Sequence, residues 1–301
     1  MRTRLNLLDF IIWVNILFMC IGYQGATAQS TPTGFAHVTV SNQWNQAVGL
    51  TFPKDGSAMF VWERGGTVWV VINNQKQLLI DISEEVGSFH DVGLLGFALH
   101  PNFLQNGYFY MLYVVDRHHL MNYGTAAYNP AANEYFKATI SRLTRYTATK
   151  TASGYTVSPS SRKILIGETK STGIPQISAS HSIGSLVFGT DNTLLISTGD
   201  AAAASPDNGN FTGGGSYHVD GLNDGIITQA ENVGTFRSQI LDGYNGKILR
   251  IDPDTGEGIP SNPFYDPARP SAPISKVYAL GLRQPFRVSL IPGTGSHNPA
   301  H

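Results

Sequence analysis

One short pattern constrains this chain more than any other feature. A glycine or alanine precedes an apolar residue, a Phe follows, then a Pro/Asp/Asn/Gly turn, then an apolar strand. The copies are Val48-Gly-Leu-Thr-Phe-Pro-Lys-Asp-Gly-Ser-Ala-Met-Phe-Val-Trp62, Val92-Gly-Leu-Leu-Gly-Phe-Ala-Leu-His-Pro-Asn-Phe103 and Ile183-Gly-Ser-Leu-Val-Phe-Gly-Thr-Asp-Asn-Thr-Leu-Leu-Ile-Ser-Thr-Gly-Asp200. A looser copy starts at Gln284-Pro-Phe-Arg287. Runs of four to seven apolar residues between such turns predict antiparallel meanders, and a meander of four strands is the unit of a propeller blade. No segment has the length and period of an amphipathic helix, which argues against an α/β fold.

Three strand groups follow from the pattern. The first runs through Ala47–Phe52, Ala58–Trp62, Thr67–Ile72 and Gln77–Ile82. The second takes Gly93–Leu99, Gly107–Val114, Ala138–Tyr146 and Lys163–Gly167. The third takes Gly184–Phe188, Thr193–Thr198, Gly246–Asp252 and Ser275–Ala279. Long polar insertions, Asp116–Lys137 and Ala201–Asp242, follow the second strand of the second and third groups. A blade-like repeat puts both on the same rim. Loops of that length are often functional.

The N-terminus reads as an export signal. Arg2 and Arg4 precede an apolar run to Gly22, and small residues Gly25-Ala-Thr-Ala28 follow. The expected division is a signal over 1–28, a lead-in over 29–41 and a propeller domain over 42–301. An uncleaved anchor is the alternative. A secreted or periplasmic location follows, with no stable transmembrane segment after cleavage. The single cysteine, Cys20, lies inside this signal, so disulfide and thiolate chemistry are excluded from the mature chain. Twenty Lys and Arg against 21 Asp and Glu give a net charge of −1, and without a basic tract nucleic acid is no expected partner.

Several residues invite chemical readings. His181 stands between a loop and a strand, where an imidazole can accept a proton. A turn or core histidine is the competing reading. Arg283 lies between Gly281 and Pro285 and suits either a clamp on developing negative charge or a cap on strand carbonyls. Arg287 offers the same choice. Asp116-Arg-His118-His119 suits loop anchoring or one or two metal ligands. Asp200 suits an alcohol, Ca²⁺ or a loop cap, and Asp207, Asp220 and Asp224 do not match the EF-hand spacing. No nucleotide-binding glycine motif, phosphate loop, His-Glu-x-x-His or Gly-x-Ser-x-Gly is present.

Gly93–Phe103, Gly184–Asp191 leading to Ser197-Thr-Gly-Asp200, Gly246-Lys-Ile-Leu-Arg-Ile-Asp252 and Tyr278-Ala-Leu-Gly-Leu-Arg-Gln-Pro-Phe-Arg287 together resemble the glucose/sorbosone dehydrogenase family of soluble quinoprotein sugar dehydrogenases, from about Asn42 to Leu290. The resemblance implies an all-β, six-bladed propeller carrying pyrroloquinoline quinone (PQQ) and Ca²⁺. Three blades plus the start of a fourth make an incomplete propeller the expectation here, an N-terminal portion whose metal-binding segment lies outside the sequence. The resemblance further implies hydride transfer from an aldose, or a related alcohol or aldehyde, to PQQ, with a soluble or membrane-linked electron acceptor. His181 matches the proton-accepting histidine and Arg283 the arginine beside the quinone. Asp91, Ser180, Arg283 and Gln284 match cofactor-contacting positions. Gln284 replaces an Asn, and Ser180 replaces an Asp that precedes the histidine. The family also holds relatives of hedgehog-interacting type, so a non-catalytic carbohydrate- or protein-binding module stands as the alternative, as does an inactive fragment.

Overall fold

A computed structural model describes residues 31–39, 41, 43–202 and 217–291. The expected signal, Asp207 and residues 292–301 lie outside the described residues. Residues 31–39 and 41 belong to a unit of their own, in which Phe35 N–H donates to Pro32 O at 3.0 Å. The second unit begins at Gln43 and holds every strand among the described residues.

Three antiparallel sheets follow one another along the chain. The first is β1 (Ala47–Thr51), β2 (Met59–Glu63), β3 (Thr67–Ile72) and β4 (Gln75–Asp81), paired in sequence order. Its last hairpin turns on Asn73 and Asn74, with φ of 49° and 61°. Two successive positive φ values define the tight turn whose twist matches the flanking strands, and Asn tolerates them better than most residues.

The second sheet is β5 (Leu94–Leu99), β6 (Tyr108–Val114), β7 (Thr139–Lys150), β8 (Tyr155–Val157), β9 (Lys163–Ile166) and β10 (Ile174–Gln176). Here the structure departs from the four simple strands expected. The fourth position is split: β9 pairs with Leu143–Arg145 and β10 with Thr139–Ser141, both on β7. The third sheet is β11 (Ile183–Phe188), β12 (Leu194–Thr198), β13 (Lys247–Ile251) and β14 (Val277–Leu280), again in sequence order. Ser275 and Lys276, expected in the last strand, instead close a one-turn helix, Pro273–Lys276.

The first strand of each sheet lies next to that of its neighbour, β1 beside β5 and β5 beside β11. Each carries a register shift near its start: between Ala47 and Gly49, Leu94 and Gly96, and Ile183 and Leu186. The repeated sequence pattern is therefore a repeated bulged inner strand. Bulges bend a strand and re-aim the side chains beside it.

Two cores separate the sheets. Phe109, Met111 and Tyr113 of β6 join Phe60, Val68 and Val70 of the first sheet. The alternate residues Tyr110, Leu112 and Val114 join Leu186, Leu194 and Ile196 of the third. With both faces covered, β6 is apolar at every position, as its uninterrupted sequence suggests. The middle sheet is thus a filled layer, and its rim loops are held from both sides.

The two insertions, expected on the same rim, meet in ion pairs. Arg117 Nη2 and Asp224 Oδ2 are 2.6 Å apart, and Lys137 Nζ and Asp220 Oδ2 are 3.5 Å apart. The described part of the second insertion is more ordered than its composition suggests, with a helix at His218–Asn223 and 3-10 turns at Gln229–Glu231 and Gly234–Gln239.

Candidate active site

His181 occupies the turn that enters β11 with φ of 54°, in the left-handed region. Its carbonyl accepts from Ala201 N–H at 2.9 Å, and that of Ser182 accepts from Gly199 N–H at 2.7 Å. A Cβ on Gly199 would stand 2.2 Å from His181 O, so the approach of these two loops requires glycine at 199. The imidazole Nδ1 lies 2.8 Å from Ala202 O. A carbonyl only accepts, so Nδ1 carries a proton, and in the neutral ring the lone pair sits on Nε2.

Asp200 joins this histidine to the far end of the sheet. One carboxylate oxygen lies 3.6 Å from His181 Nδ1 and accepts from Ala202 N–H at 2.9 Å. The other accepts from Arg283 Nη1 at 2.6 Å. The backbone repeats that clasp, with Asp200 N–H donating to Arg283 O at 2.9 Å. The Asp200 side chain is 1% exposed and that of Arg283 is 43% exposed. The buried carboxylate therefore orients a partly exposed Arg283 side chain.

Of the other expected cofactor contacts, Ser180 and Gln284 adjoin His181 and Arg283 in the chain, and Asp91 comes from a distant turn. Asp91 is exposed, and its N–H donates to Ala179 O at 3.3 Å, beside the His181 turn. Ser180 Oγ lies 3.3 Å from Ser178 Oγ. The carboxylate nearest His181 is thus Asp200 rather than a residue at 180. The side-chain oxygen of Gln284 is buried without a hydrogen-bond partner among the described residues. Arg287 turns away: its guanidinium lies 4.1 Å from the centre of the Phe286 ring and donates to Phe286 O.

Two buried cations support the site, and sequence reasoning missed both. Arg237, 2% exposed, donates to Asp200 O at 3.1 Å, Ala201 O at 3.0 Å and Glu231 O at 3.3 Å. Burial pulls its guanidinium down to about 10, against the raising influence of Asp200 and Glu231. Lys247 donates to the carbonyls of Arg237, Ser238 and Asn245 at 3.2, 3.0 and 2.6 Å, and burial pulls it down to about 8. Together they tie the loop after β12 to its own carbonyls. The only sequence signal was a lysine and an arginine set among apolar and small residues.

The Asp116–His119 segment anchors a loop. Asp116 accepts from His118 N–H at 2.8 Å and caps the helix Arg117–Asn122. His118 Nε2 accepts from Asn129 N–H at 3.0 Å, and His119 Nδ1 lies 2.9 Å from Tyr128 OH. Burial raises Asp116 above the usual carboxylate value despite backbone N–H groups that favour its charge. Asp220 and Asp224 are occupied in the ion pairs between insertions. Among the described residues no three His, Cys, Asp or Glu side chains converge on a point that suits a metal ion.

A family model described as glucose/sorbosone dehydrogenase matches residues 44–296. The chain belongs to the glucose/sorbosone dehydrogenase family. Among curated relatives it is similar to the HIPL2 protein of Arabidopsis thaliana, 27% identical over 239 residues covering 70% of this chain and 30% of that protein. It is also similar to human Hedgehog-interacting protein, 26% identical over 259 residues covering 81% of this chain and 30% of that one. The chain thus spans about 30% of the length of these curated relatives.

Two solved structures share the fold. The PQQ-bound aldose sugar dehydrogenase of Streptomyces coelicolor superposes with a TM-score of 0.51 at 22% identity, covering 82% of this chain and 54% of that one. An oxidoreductase of Thermus thermophilus described as a glucose dehydrogenase gives 0.54 at 24% identity, covering 87% and 61%. The three sheets of this glucose/sorbosone dehydrogenase family member accordingly have the architecture of the quinoprotein propellers.

Proposed function

We propose that this chain forms the His181 side of the active site of an exported dehydrogenase that oxidises an aldose or a related alcohol or aldehyde. One observation carries the reading: His181 and Arg283, from opposite ends of the third sheet, meet the same buried carboxylate, Asp200. His181 Nε2 accepts the proton of the sugar's anomeric hydroxyl. The Nδ1–H bond to Ala202 O holds the ring in the tautomer this needs and leaves the charge that develops on the imidazole next to Asp200.

The residues present fit a planar quinone. The Arg283 side chain is partly exposed, and the Gln284 amide has a buried oxygen with no partner among the described residues. An amide that can turn offers either a donor or an acceptor to a ring substituent. Arg283 and Gln284 would hold one edge of PQQ, with Ser180 and Asp91 on neighbouring turns. When bound, PQQ supplies the acceptor for the hydride that leaves the sugar carbon. Among the described residues no three His, Cys, Asp or Glu side chains gather to hold Ca²⁺, and no step runs through it. Titration of the protein with PQQ, followed by quenching of tryptophan fluorescence, tests the assignment. Saturable quenching that weakens in Arg283→Ala supports it, and no quenching refutes it.

A second reading has one observation in its favour. The two insertions are joined by ion pairs, Arg117 to Asp224 and Lys137 to Asp220, and one curated relative is named for an interaction, Hedgehog-interacting protein. On that reading the propeller is a carbohydrate- or protein-binding module with no redox role. Retained glycan or protein binding without PQQ binding would select it. Export rests on the residue pattern of 1–28. Among the described residues no helix is long and apolar enough to cross a membrane.

A further inference from the structure

We propose that Phe136 and His90 form a saccharide subsite on the rim, where the apolar C–H face of a pyranose ring packs on Phe136 while His90 and Asp91 take its hydroxyls. The inference deepens the dehydrogenase reading and rests on it for the identity of the sugar as substrate.

Two unfavourable features coincide at Phe136. Its ring is 52% exposed, and its backbone sits at φ of 59°. A bulky side chain in the left-handed region is an outlier, and such strain clusters at ligand-binding sites. His90 shares the strain, with φ of 43°, and is exposed as well. The two rings meet edge to face, with centroids 5.5 Å apart and planes at 76°. Behind them Phe89 packs on Phe136 at 4.9 Å and on Tyr135 at 5.0 Å, so the exposed ring has a rigid backing.

The strained turn is fixed on both sides. Arg64 donates to His90 O at 2.5 Å, and Asp91 N–H donates to Ala179 O, two residues from His181. That backbone bond ties the turn bearing the aromatic corner to the segment that leads into His181. Neither imidazole nitrogen of His90 and neither carboxylate oxygen of Asp91 has a hydrogen-bond partner among the described residues. An exposed aromatic face beside an exposed imidazole and carboxylate suits a ligand with an apolar ring face and a rim of hydroxyls. The angles separate this from a site for a flat aromatic electron acceptor. Phe136 meets His90 at 76° and Phe89 at 55°, so the rings make a corner, with no parallel slot for a planar molecule.

The test compares the wild-type chain with Phe136→Ala and Phe136→Tyr. In PQQ-supplemented dye reduction, Phe136→Ala raises KM for the aldose about five- to tenfold with kcat within about twofold, and Phe136→Tyr restores KM. The KM for the dye stays unchanged. Saturation-transfer NMR with methyl β-glucopyranoside needs no turnover. Transfer from aromatic protons to the sugar in the wild type, and its loss in Phe136→Ala, supports the subsite even where no dye is reduced, a result that would sink only the dehydrogenase reading. The subsite is overturned if wild type shows no transfer, if sugar KM and transfer survive in Phe136→Ala, or if the dye KM moves in place of the sugar KM.

Discussion

Arg283 clasps Asp200 twice: its guanidinium donates to the carboxylate at 2.6 Å, and its carbonyl accepts the Asp200 N–H at 2.9 Å. The backbone clasp survives substitution of the carboxylate, so Asp200→Asn isolates the charge. The neutral amide is a weaker acceptor for Arg283 and no longer faces His181 as an anion. We expect kcat to fall about 10- to 100-fold, with a stability loss of about 1–2 kcal/mol, kept small because Arg283 is nearly half exposed. Steady-state kinetics and urea denaturation measure the two, and an unchanged kcat would separate Asp200 from the chemistry.

Gly184 sets the position of the segment that follows Arg283. A Cβ there would lie 2.6 Å from the carbonyl oxygens of Pro285 and Phe286 and 2.5 Å from Ser197 Oγ. Ser185 Oγ meanwhile donates to Phe286 O and accepts from Val288 N–H, at 3.2 and 3.1 Å. Gly184→Ala must push that segment off β11 and carry Arg283 with it. A loss of about 1–3 kcal/mol in chemical denaturation, with PQQ quenching reduced at least as much as in Arg283→Ala, is the expected outcome.

Glu85 ties the link between β4 and β5 to the second sheet from a buried position. Its Oε1 accepts from Tyr113 OH at 2.7 Å, Arg142 at 2.5 Å and Arg162 at 2.6 Å. Burial alone would raise its pKa, but Arg162, Arg142 and Tyr113 outweigh burial and hold it below its ordinary 4.5. A depressed carboxylate contributes stability above its unfolded value and loses it as pH falls through the folded one. Glu85→Gln, which leaves two arginines facing a neutral group, should cost about 3 kcal/mol near pH 7. The gap from wild type should close below about pH 4.5, which urea midpoints measured across pH would show.

These devices mark the boundary of what the sequence revealed. The three sheets were legible because their inner strands repeat one pattern and because β6, buried on both faces, is apolar throughout. His181 and Arg283 stood out from their motifs as candidates, and the structure brings both to one carboxylate. Strand β10 was not legible: it is three residues long and contains Pro175, which reads as a turn. Gln284–Ile291, read as the start of a fourth strand group, forms no strand and bonds Ser185 instead. Arg237, Lys247 and Glu85 were invisible for a common reason. A buried charge is recognisable only from the carbonyls or counter-charges around it, and those come from distant parts of the chain.

Lys247 gives a pH signature in a different range from Glu85. Burial lowers it from 10.5 to about 8, so between those values the unfolded chain binds the extra proton. Stability from this group therefore rises as pH climbs from about 8 towards 10.5. Relative to Lys247→Met, which cannot titrate, the wild type should gain stability over that range. Paired urea denaturation at about pH 7.5 and about pH 9.5 checks it, and a constant difference between the two proteins would mean the ammonium is not buried as charge.

The most direct test of the active-site assignment is His181→Gln in PQQ- and Ca²⁺-supplemented dye reduction on an aldose. Glutamine keeps a donor for Ala202 O but offers no base. If His181 takes the anomeric proton, kcat falls by about 10²- to 10⁴-fold while PQQ quenching persists. A variant that reduces dye at the wild-type rate would contradict the assignment.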